Sequence, residues 1–434
     1  MAMSFACTTK NLSIYSCAEK CERKVFMKKR LITIWLAAML IFSLACSAAD
    51  GPDPNSLPAL EGIETMNTDI PHNDSEIGVL FEDKWEDGLK LQLTEDGTLH
   101  LSGADIKRSL KEDTRLAPYL SKITGLEIGE GIAYVGEKAF SGFENIEKLR
   151  FSGEITELAY AAFSDCTALL DIDFGSSLST IGDYAFSGCT NLRDASLPES
   201  LKELGSYAFS GCTSLKNVAL GSGITSFGNN IFADCTNLVS LRSGSSLGDT
   251  AFRDCISLES VFLEDSAEKI GSRCFSGCVK LSNVRLSENL KTIGSYAFSG
   301  CEKLQNIVIP TSVMQIEKEA FSACTALDTV EFAECEALTI GDAAFASCTA
   351  LKTIALPEGL TTLGEKVFAS CNALERVTMP KSLSEIGYGL FYDTPALRVL
   401  EYRGNSSAWR KVEKAKDWDE FAGTNTIKYV KSGN

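Results

Sequence analysis

A phenylalanine, most often preceded by alanine, returns twelve times in this chain at a nearly constant spacing of 23 residues. The twelve phenylalanines are Phe140, Phe163, Phe186, Phe209, Phe232, Phe252, Phe275, Phe298, Phe321, Phe345, Phe368 and Phe391. Two intervals differ, with 20 residues before Phe252 and 24 before Phe345. A fixed period of roughly 20 to 50 residues is typical of solenoids, in which one supersecondary unit stacks on itself. We therefore expect a long stack of coils, whose function is carried by a repeated surface.

Each repeat divides into two halves with different apolar patterns. The segment Leu215-x-x-Val218-x-Leu220 alternates apolar and polar residues, which predicts a half-buried strand. The other half, exemplified by Leu201-x-x-Leu204, has apolar residues three to four apart and predicts a short helix or 3-10 turn on the opposite side. Equivalent residues of successive coils would stack about 4.8 Å apart, the spacing of neighbouring strands. The phenylalanine column is therefore interpreted as core packing.

The repeat unit reads Leu-x-x-Ile-x-Leu-Pro-x-x-Leu-x-x-Ile-Gly-x-x-Ala-Phe-x-x-Cys over residues 124–402. This pattern resembles the BspA-type leucine-rich repeat, also called the Treponema pallidum type. The resemblance implies an α/β leucine-rich repeat solenoid of about twelve 23-residue repeats. Each turn would carry one parallel strand, with a short helical or 3-10 segment opposite. The resemblance also implies a secreted or lipidated start, and adhesion to host matrix proteins or contact with other bacteria.

The segments on either side of the array are predicted to cap it, because the first and last core layers of a stack need a polar cover. Residues 77–123 form the predicted N-terminal β cap, with a hairpin that turns at Asp96-Gly97. Residues 403–434 form the predicted C-terminal cap. There, Trp409 and Trp418 are expected to cover the last rung, and a strand is expected over residues 426–430.

The N-terminal 46 residues read as a targeting segment. Met27-Lys28-Lys29-Arg30 precedes an apolar run of 14 residues, and Ala45-Cys46 follows it. A basic start, a short apolar run and small residues at its end are typical of a secretory signal. Cys46 resembles the lipidated cysteine of a bacterial lipobox, although Leu44 lies one place nearer the cysteine than usual. The favoured prediction is an exported, membrane-anchored lipoprotein at the cell surface or outer membrane, lipidated on Cys46. A plainly cleaved signal and an uncleaved anchor are the alternatives, and residues 1–26 are either upstream translation or a long n-region.

Residues 47–76 combine Pro, Gly, Asp and Asn with little apolar pattern, which predicts a flexible tether. The formal net charge of -17 disfavours nucleic acid, whose phosphates would repel the chain. A membrane would be contacted through the lipid anchor.

Ten of the 16 cysteines occupy one slot, three residues after a phenylalanine. They are Cys166, Cys189, Cys212, Cys235, Cys255, Cys278, Cys301, Cys324, Cys348 and Cys371. The first unit has Phe143 in this slot and the last has Thr394. A slot that accepts phenylalanine is apolar, and a free cysteine behaves as a small hydrophobe. We favour buried, reduced thiols over disulfides or metal ligands, and expect Cys335 to be the exposed thiol.

Catalytic chemistry finds little support in the sequence. The two histidines, His72 and His100, stand apart from any set with triad or metal-ligand spacing. No phosphate-binding loop is present. Glycines that recur with the repeat, such as Gly205 and Gly228, are interpreted as turn residues. We therefore predict no catalytic, metal or cofactor-binding residue, no small-molecule substrate and no enzyme.

The remaining possibility is that the outward side chains of the strands recognise a partner. Outward strand residues form a column that changes from rung to rung, and twelve rungs give a face roughly 55 Å long. Arg242, Phe262, Arg285 and Val308 are consecutive in this column and are the candidate partner-binding residues, because arginine and aromatic side chains are common interface anchors. Chance variation on a tolerant surface is the alternative. The predicted function is non-enzymatic cell-surface binding of a protein partner; the alternative is a structural surface or periplasmic scaffold that self-associates.

Overall fold

A computed structural model of the chain describes residues 77–420 and 427–429. The predicted targeting segment with Cys46, and the predicted tether over residues 47–76, lie outside the described residues. Those two assignments therefore stay predictions.

The described chain consists almost entirely of short strands. The first fifteen are β1 (Val79–Lys84), β2 (Lys90–Thr94), β3 (Thr98–Ser102), β4 (Gly125–Ile128), β5 (Tyr134–Val135), β6 (Lys148–Phe151), β7 (Glu157–Leu158), β8 (Asp171–Asp173), β9 (Thr180–Ile181), β10 (Asp194–Ser196), β11 (Glu203–Leu204), β12 (Asn217–Leu220), β13 (Ser226–Phe227), β14 (Ser240–Ser243) and β15 (Ser260–Leu263). The remaining strands are β16 (Lys269–Ile270), β17 (Asn283–Arg285), β18 (Thr292–Ile293), β19 (Asn306–Ile309), β20 (Gln315–Ile316), β21 (Thr329–Phe332), β22 (Leu338–Ile340), β23 (Thr353–Ala355), β24 (Leu360–Leu363), β25 (Arg376–Met379), β26 (Glu385–Ile386), β27 (Val399–Tyr402), β28 (Glu413–Lys414) and β29 (Ile427–Tyr429). Helix is limited to a 3-10 segment at Ala117–Lys122 and one α-helical turn at Ser406–Trp409.

These strands build a parallel β-solenoid. Within each coil, one strand of mostly three or four residues pairs in parallel with its equivalent in the next coil; for example, Val218 is in register with Leu241. A two-residue strand farther along the coil does the same on another side, as Glu203 does with Ser226. The register advances by one repeat per rung, so equivalent residues stack in columns. The predicted leucine-rich repeat solenoid of parallel strands is confirmed.

The predicted helical or 3-10 segments are replaced by two-residue strands and turns, so the α/β assignment is corrected to a β-solenoid with little helix. Glu203–Leu204, inside the segment expected to be helical, is strand β11. The backbone then takes a left-handed conformation two residues before each phenylalanine, with φ of 59° at Tyr184 and 56° at Tyr207. A right-handed helix cannot continue through such a residue. The apolar spacing reflects inward positions on the turns of a coil.

The turn edge, defined as the five residues centred on each of the twelve phenylalanines, carries a third hydrogen-bond ladder. In the coil of Phe186, the backbone N–H groups of Tyr184, Phe186 and Gly188 donate to carbonyls of the next coil at 2.7–2.9 Å. The N–H groups between them donate three residues back within their own coil. In a strand, successive N–H groups point to opposite sides. In this ladder, every inter-coil N–H group points toward the C-terminal end of the stack. The peptide dipoles therefore align along the stack, as they do in a helix.

The core of the stack is the phenylalanine column. The rings of Phe140 through Phe391 lie parallel in an unbroken series, with centroids of neighbours 5.0–6.0 Å apart. Each of these side chains is at most 1% exposed. The interpretation of the column as core packing is confirmed.

The ten column cysteines are buried free thiols, as expected. Each Sγ lies 3.1–3.4 Å from a phenylalanine carbonyl of the preceding coil and donates to it; Cys212 to Phe186 is typical. Burial raises the pKa of the Cys212, Cys324 and Cys371 thiols to about 12. Cys335 is half-buried and is the most exposed cysteine of the described residues.

The recurring glycines are needed for close approach between coils, which corrects their interpretation as turn residues. A Cβ atom at Gly205 would lie 2.4 Å from the backbone nitrogen of Asp183 in the preceding coil, and one at Gly228 would lie 2.2 Å from that of Ser206. Neither glycine has a positive φ. Any side chain here would push the coils apart.

The two irregular intervals fall between strands. In the unit that is three residues short, the missing residues fall in the corner after Ser243. Two buried serines bridge this corner. The hydroxyl of Ser243 donates to the carbonyl of Ser245, and the hydroxyl of Ser245 donates to the carbonyl of Gly221. The unit one residue long takes its extra residue between Phe332 and Leu338, beside Cys335.

At the ends, parallel pairing extends into both predicted caps. The predicted hairpin is present, since β2 and β3 pair antiparallel around Gly97. Strand β3 then pairs in parallel with β4, so the solenoid already includes Thr98. At the other end β27 pairs in parallel with β29, and Trp418 packs edge-on against Phe391 at 6.3 Å. The segments at both ends therefore form coils of their own.

Candidate protein-binding face

The strand face comprises two columns of outward side chains on the longer strands. Its central column is Arg150, Asp173, Ser196, Ala219, Arg242, Phe262, Arg285, Val308, Glu331, Ala355, Thr378 and Glu401. The neighbouring column, two residues earlier in each strand, is largely polar: Lys148, Asp171, Asp194, Asn217, Ser240, Ser260, Asn283, Asn306, Thr329, Thr353, Arg376 and Val399. The inward residues between them are buried leucine, isoleucine, valine and alanine in most rungs. Chemical variety is thus confined to the outward columns.

Three of the four candidate residues meet directly. Arg242, Phe262 and Arg285 are register partners on β14, β15 and β17. The guanidinium carbon of Arg242 lies 4.8 Å from the centroid of the Phe262 ring, and that of Arg285 lies 4.5 Å from it. Phe262 is therefore held between two cations, a stabilising arrangement for an aromatic ring with a negative face. The result is an ordered aromatic–cation cluster on the strand face.

Val308 belongs to the next strand group and stands apart from this cluster. It lies on β19, which pairs with β21 rather than with β17, and its register partner is Glu331. Its side chain is 56% exposed, the largest exposure among the large hydrophobic residues of the described chain. Val308 therefore adds an apolar contact at the C-terminal side of the cluster.

The two arginines differ in what else they bind. The Nε of Arg242 donates to Glu264 Oε1 at 2.8 Å, so part of the Arg242 guanidinium group is already hydrogen-bonded. In the part of the chain that the structure describes, the Arg285 guanidinium has no carboxylate within salt-bridge distance and makes no hydrogen bond. The shortened corner immediately follows Arg242, because Ser243 begins it. The irregular unit therefore adjoins the cluster.

Farther along the strand face, charges are neutralised locally. Arg150 Nε lies 3.7 Å from Asp173 Oδ2, and Arg376 pairs with Glu401. The amide of Asn217 donates to Asp194 at 2.8 Å. Exposed pairs of this kind contribute little stability. They leave the central rungs chemically distinct from both ends.

Sequence reasoning missed a second exposed set, on and beside the turn edge. Tyr160, Tyr184 and Tyr207 form a series with ring centroids 5.7 and 4.9 Å apart. Tyr160 and Tyr184 are 44% and 36% exposed. Lys138 lies over the Tyr160 ring at 5.8 Å, and Asn230 donates to the Tyr207 hydroxyl. The available signal was a tyrosine two or three residues before the phenylalanine in three neighbouring repeats, although the period alone did not mark these tyrosines as outward.

The described residues hold no grouping suited to a metal ion, in the sense of three or more His, Cys, Asp or Glu side chains gathered together. His100 Nδ1 lies 3.1 Å from Glu127 Oε2, an exposed pair on the first parallel rungs. His72 and Cys46 lie outside the described residues. Within the described ranges, no helix is both long and apolar enough to cross a bilayer.

Solved structures with a similar fold include several bacterial leucine-rich repeat proteins. A leucine-rich repeat protein from Bacteroides ovatus is 23% identical over 80% of this chain and 100% of its own, with a TM-score of 0.41. A leucine rich cell surface protein from Faecalibacterium prausnitzii is 21% identical over 77% and 97%, with a TM-score of 0.36. The T. pallidum leucine rich repeat protein is 24% identical over 45% and 88%, with a TM-score of 0.36. A search of the curated proteins found no match.

The sequence profile of the BspA type leucine rich repeat region matches residues 117–239, 245–338 and 298–411, in six copies. These ranges span more than half of the chain and coincide with the stacked coils, the phenylalanine column and the cysteine slot. The chain therefore belongs to the BspA-type leucine-rich repeat family.

Proposed function

We propose that this protein is a non-enzymatic, adhesin-like cell-surface protein that binds host matrix or other surface proteins through its strand face. The observation that carries the proposal is the Arg242–Phe262–Arg285 cluster, an exposed aromatic–cation group on an otherwise repetitive scaffold. Arginine and aromatic residues dominate the binding energy of many interfaces. A face roughly 55 Å long is ample for a standard interface, which needs about 800 Å² per partner.

The binding experiment is a pull-down of labelled matrix proteins, and of a lysate of other bacteria, with the full chain. We expect the Phe262→Ala, Arg285→Ala double variant to lose capture at least tenfold, because truncation of interface anchors costs about 2 kcal/mol or more. Arg150→Ala is the matched control, since it removes a paired arginine from the same column. Equal capture by the double variant would remove the cluster from the binding site. Capture of the protein's own copies alone would favour the self-associating scaffold.

The proposed location is the cell surface, through a lipid on Cys46. A lipidated cysteine places the protein in the membrane fraction, and Cys46→Ser should move it to the soluble exported fraction. Protease treatment of intact cells should remove the wild-type protein if it faces outward. Persistence of the Cys46→Ser variant in the membrane fraction would contradict the lipid anchor, and full protection from protease would place the chain in the periplasm.

A further inference from the structure

The middle of the strand face carries no carboxylate. We define the central window as ten outward positions over five successive rungs: Asn217, Ala219, Ser240, Arg242, Ser260, Phe262, Asn283, Arg285, Asn306 and Val308. Two are arginine, two are large apolar residues, and the others are alanine or neutral polar residues. In a chain with a formal net charge of -17, these five rungs carry only positive charge in their outward columns.

Acidic residues border this window on both sides. Asp171, Asp173 and Asp194 precede it, and Glu331 follows it. Glu264, one residue past β15, is hydrogen-bonded to Arg242, which limits that arginine's free donors. A negatively charged ligand would therefore be repelled by the neighbouring rungs and would be attracted only by the central ones. The charge pattern therefore favours a negatively charged ligand and restricts it to the central rungs of the stack.

Arg285 is the group best prepared to bind such a ligand. Its guanidinium is stacked on Phe262 at 4.5 Å, so its face is occupied while the N–H groups at its edge have no partner among the described residues. Stacking restricts the side chain and so lowers the entropy lost on binding. A planar fork of N–H donors matches the two oxygens of a carboxylate. Arg242, two rungs or about 10 Å away, offers a second, partly engaged fork.

We propose that the central window binds an acidic segment of a protein partner, with a Glu or Asp carboxylate of the partner on the Arg285 fork. Phe262 and the exposed Val308 supply the apolar contact beside it. This inference rests on the proposed function and names the chemistry of the partner at the same site. A protein segment fits better than a sulfated glycan or nucleic acid, because polyanions of those classes rely on many phosphate or sulfate contacts and the window has two cations.

The test uses fluorescein-labelled peptides of alternating Glu and Ala, with Gln-Ala and Lys-Ala peptides of equal length as comparators. Fluorescence anisotropy with the full chain should give about tenfold tighter binding of the Glu-Ala peptide than of the Gln-Ala peptide, the range of one charge-assisted hydrogen-bonded contact. Arg285→Ala should abolish this preference. Glu264→Gln should increase it, because it releases the Arg242 fork. Arg150→Ala should leave it unchanged.

Equal binding of the Glu-Ala and Gln-Ala peptides overturns the inference, as does an equal loss in Arg150→Ala and Arg285→Ala. Binding of heparin that depends on Arg285, without binding of the Glu-Ala peptide, overturns it in favour of a sulfated glycan. Thermal melting of each variant checks that the fold is retained; Arg285→Lys, which keeps the charge but not the planar fork, should show a reduced preference.

The outcomes for the two proposals are separable. If a protein partner is captured by the wild type and lost in the Phe262→Ala, Arg285→Ala variant, while the peptides bind equally, the proposed function stands and the acidic preference is wrong. If the Glu-Ala preference depends on Arg285 but no protein is captured through the strand face, the acidic preference stands and the proposed function is contradicted.

Discussion

The turn edge and the strand face belong to the same coils, yet they tolerate very different sequences. On the turn edge, phenylalanine recurs in every rung, and the backbone takes left-handed φ values on both sides of it; the cysteine slot follows one residue past this edge. On the strand face, the central column includes arginine, aspartate, serine, alanine, phenylalanine and valine. The turn edge holds the core and, in ten of its twelve coils, three directed hydrogen bonds to the next coil, whereas an outward strand residue only has to fit a pleated surface. Structure constrains the sequence of the turn edge and leaves that of the strand face free to vary.

The strongest expected effect concerns the buried thiols. Burial raises the pKa of Cys212 from its ordinary 9.0 to about 12, so the folded state keeps the thiol protonated. The contribution of this thiol to the free energy of unfolding is fully present below the thiol's pKa in the unfolded state. It is lost as the pH rises from that value through the pKa in the folded state. At pH about 10, each thiol of the column whose pKa burial raises should cost about 1 kcal/mol, and these nine thiols together should cost on the order of 10 kcal/mol.

Urea denaturation at neutral pH and at pH about 10 measures this effect. Cys212→Ala should reduce the pH dependence by roughly one ninth of the column's total, because it removes one of the nine column thiols whose pKa burial raises. Strand-face variants should leave it unchanged. A midpoint that is independent of pH would show that the thiols do not govern alkaline stability.

The next effect compares two phenylalanines of the same repeat, one on the strand face and one on the turn edge. Phe275→Ala removes a fully buried ring from the stacked column and should destabilise the fold by about 3–5 kcal/mol. Phe262→Ala removes a half-buried ring between two exposed arginines and should cost about 1 kcal/mol or less. Denaturant midpoints of the two variants check the comparison. Equal losses would mean that the cluster is part of the core.

The same substitution can be made in both regions with alanine. Ala343 lies on the turn edge with φ of 51°, where a β-branched side chain is strongly disfavoured, and Ala343→Val should cost about 1–2 kcal/mol. Ala355 lies exposed on β23, where valine suits the pleated surface, so Ala355→Val should change stability by at most about 0.5 kcal/mol. Melting temperatures that fall equally would contradict the difference in backbone constraint.

The smallest effect concerns the aligned dipoles of the turn edge. Toward the carbonyl end of the ladder, the ammonium of Lys111 donates to the carbonyl of Gly142 at 2.7 Å, next to the aligned peptide groups of the Phe140 coil. Lys111→Gln should therefore destabilise by about 0.3–1 kcal/mol, in the range of a charge at a helix terminus. Lys280→Gln, an exposed lysine in the middle of the array, is the control. The difference should shrink at high salt; a difference that persists would point to packing instead of charge.

Much of the fold follows from sequence pattern. The 23-residue period predicted the stacked coils, the burial of the phenylalanine column and the burial of the cysteines, because equivalent positions must overlie one another. The alternation around Val218 predicted the longer strands, and Asp96-Gly97 predicted the hairpin. The adjacency of Arg242, Phe262 and Arg285 also followed from the period. The central window's charge could be read from the same column, but the ring-to-guanidinium stacking could not.

The remainder depends on contacts between coils. The apolar spacing of Leu201 and Leu204 is compatible with a helix, and only the hydrogen bonds to neighbouring coils select two-residue strands and left-handed turns. Such residues as Tyr207 carry a positive φ without being glycine, so no local signal marks them. The glycine at 205 is required by a neighbouring backbone, which its own segment does not reveal.

By itself, the sequence determined the stacked architecture and its buried phenylalanine column. A chain whose apolar residues recur at a strict period can bury them in few other ways. It also determined which residues vary on the outward columns. Only the tertiary structure decided the conformation of the turns, the direction of their dipoles and the pairing state of each arginine. Those features depend on distances between residues of different coils, and a one-dimensional pattern specifies neighbours along the stack but not the geometry with which they meet.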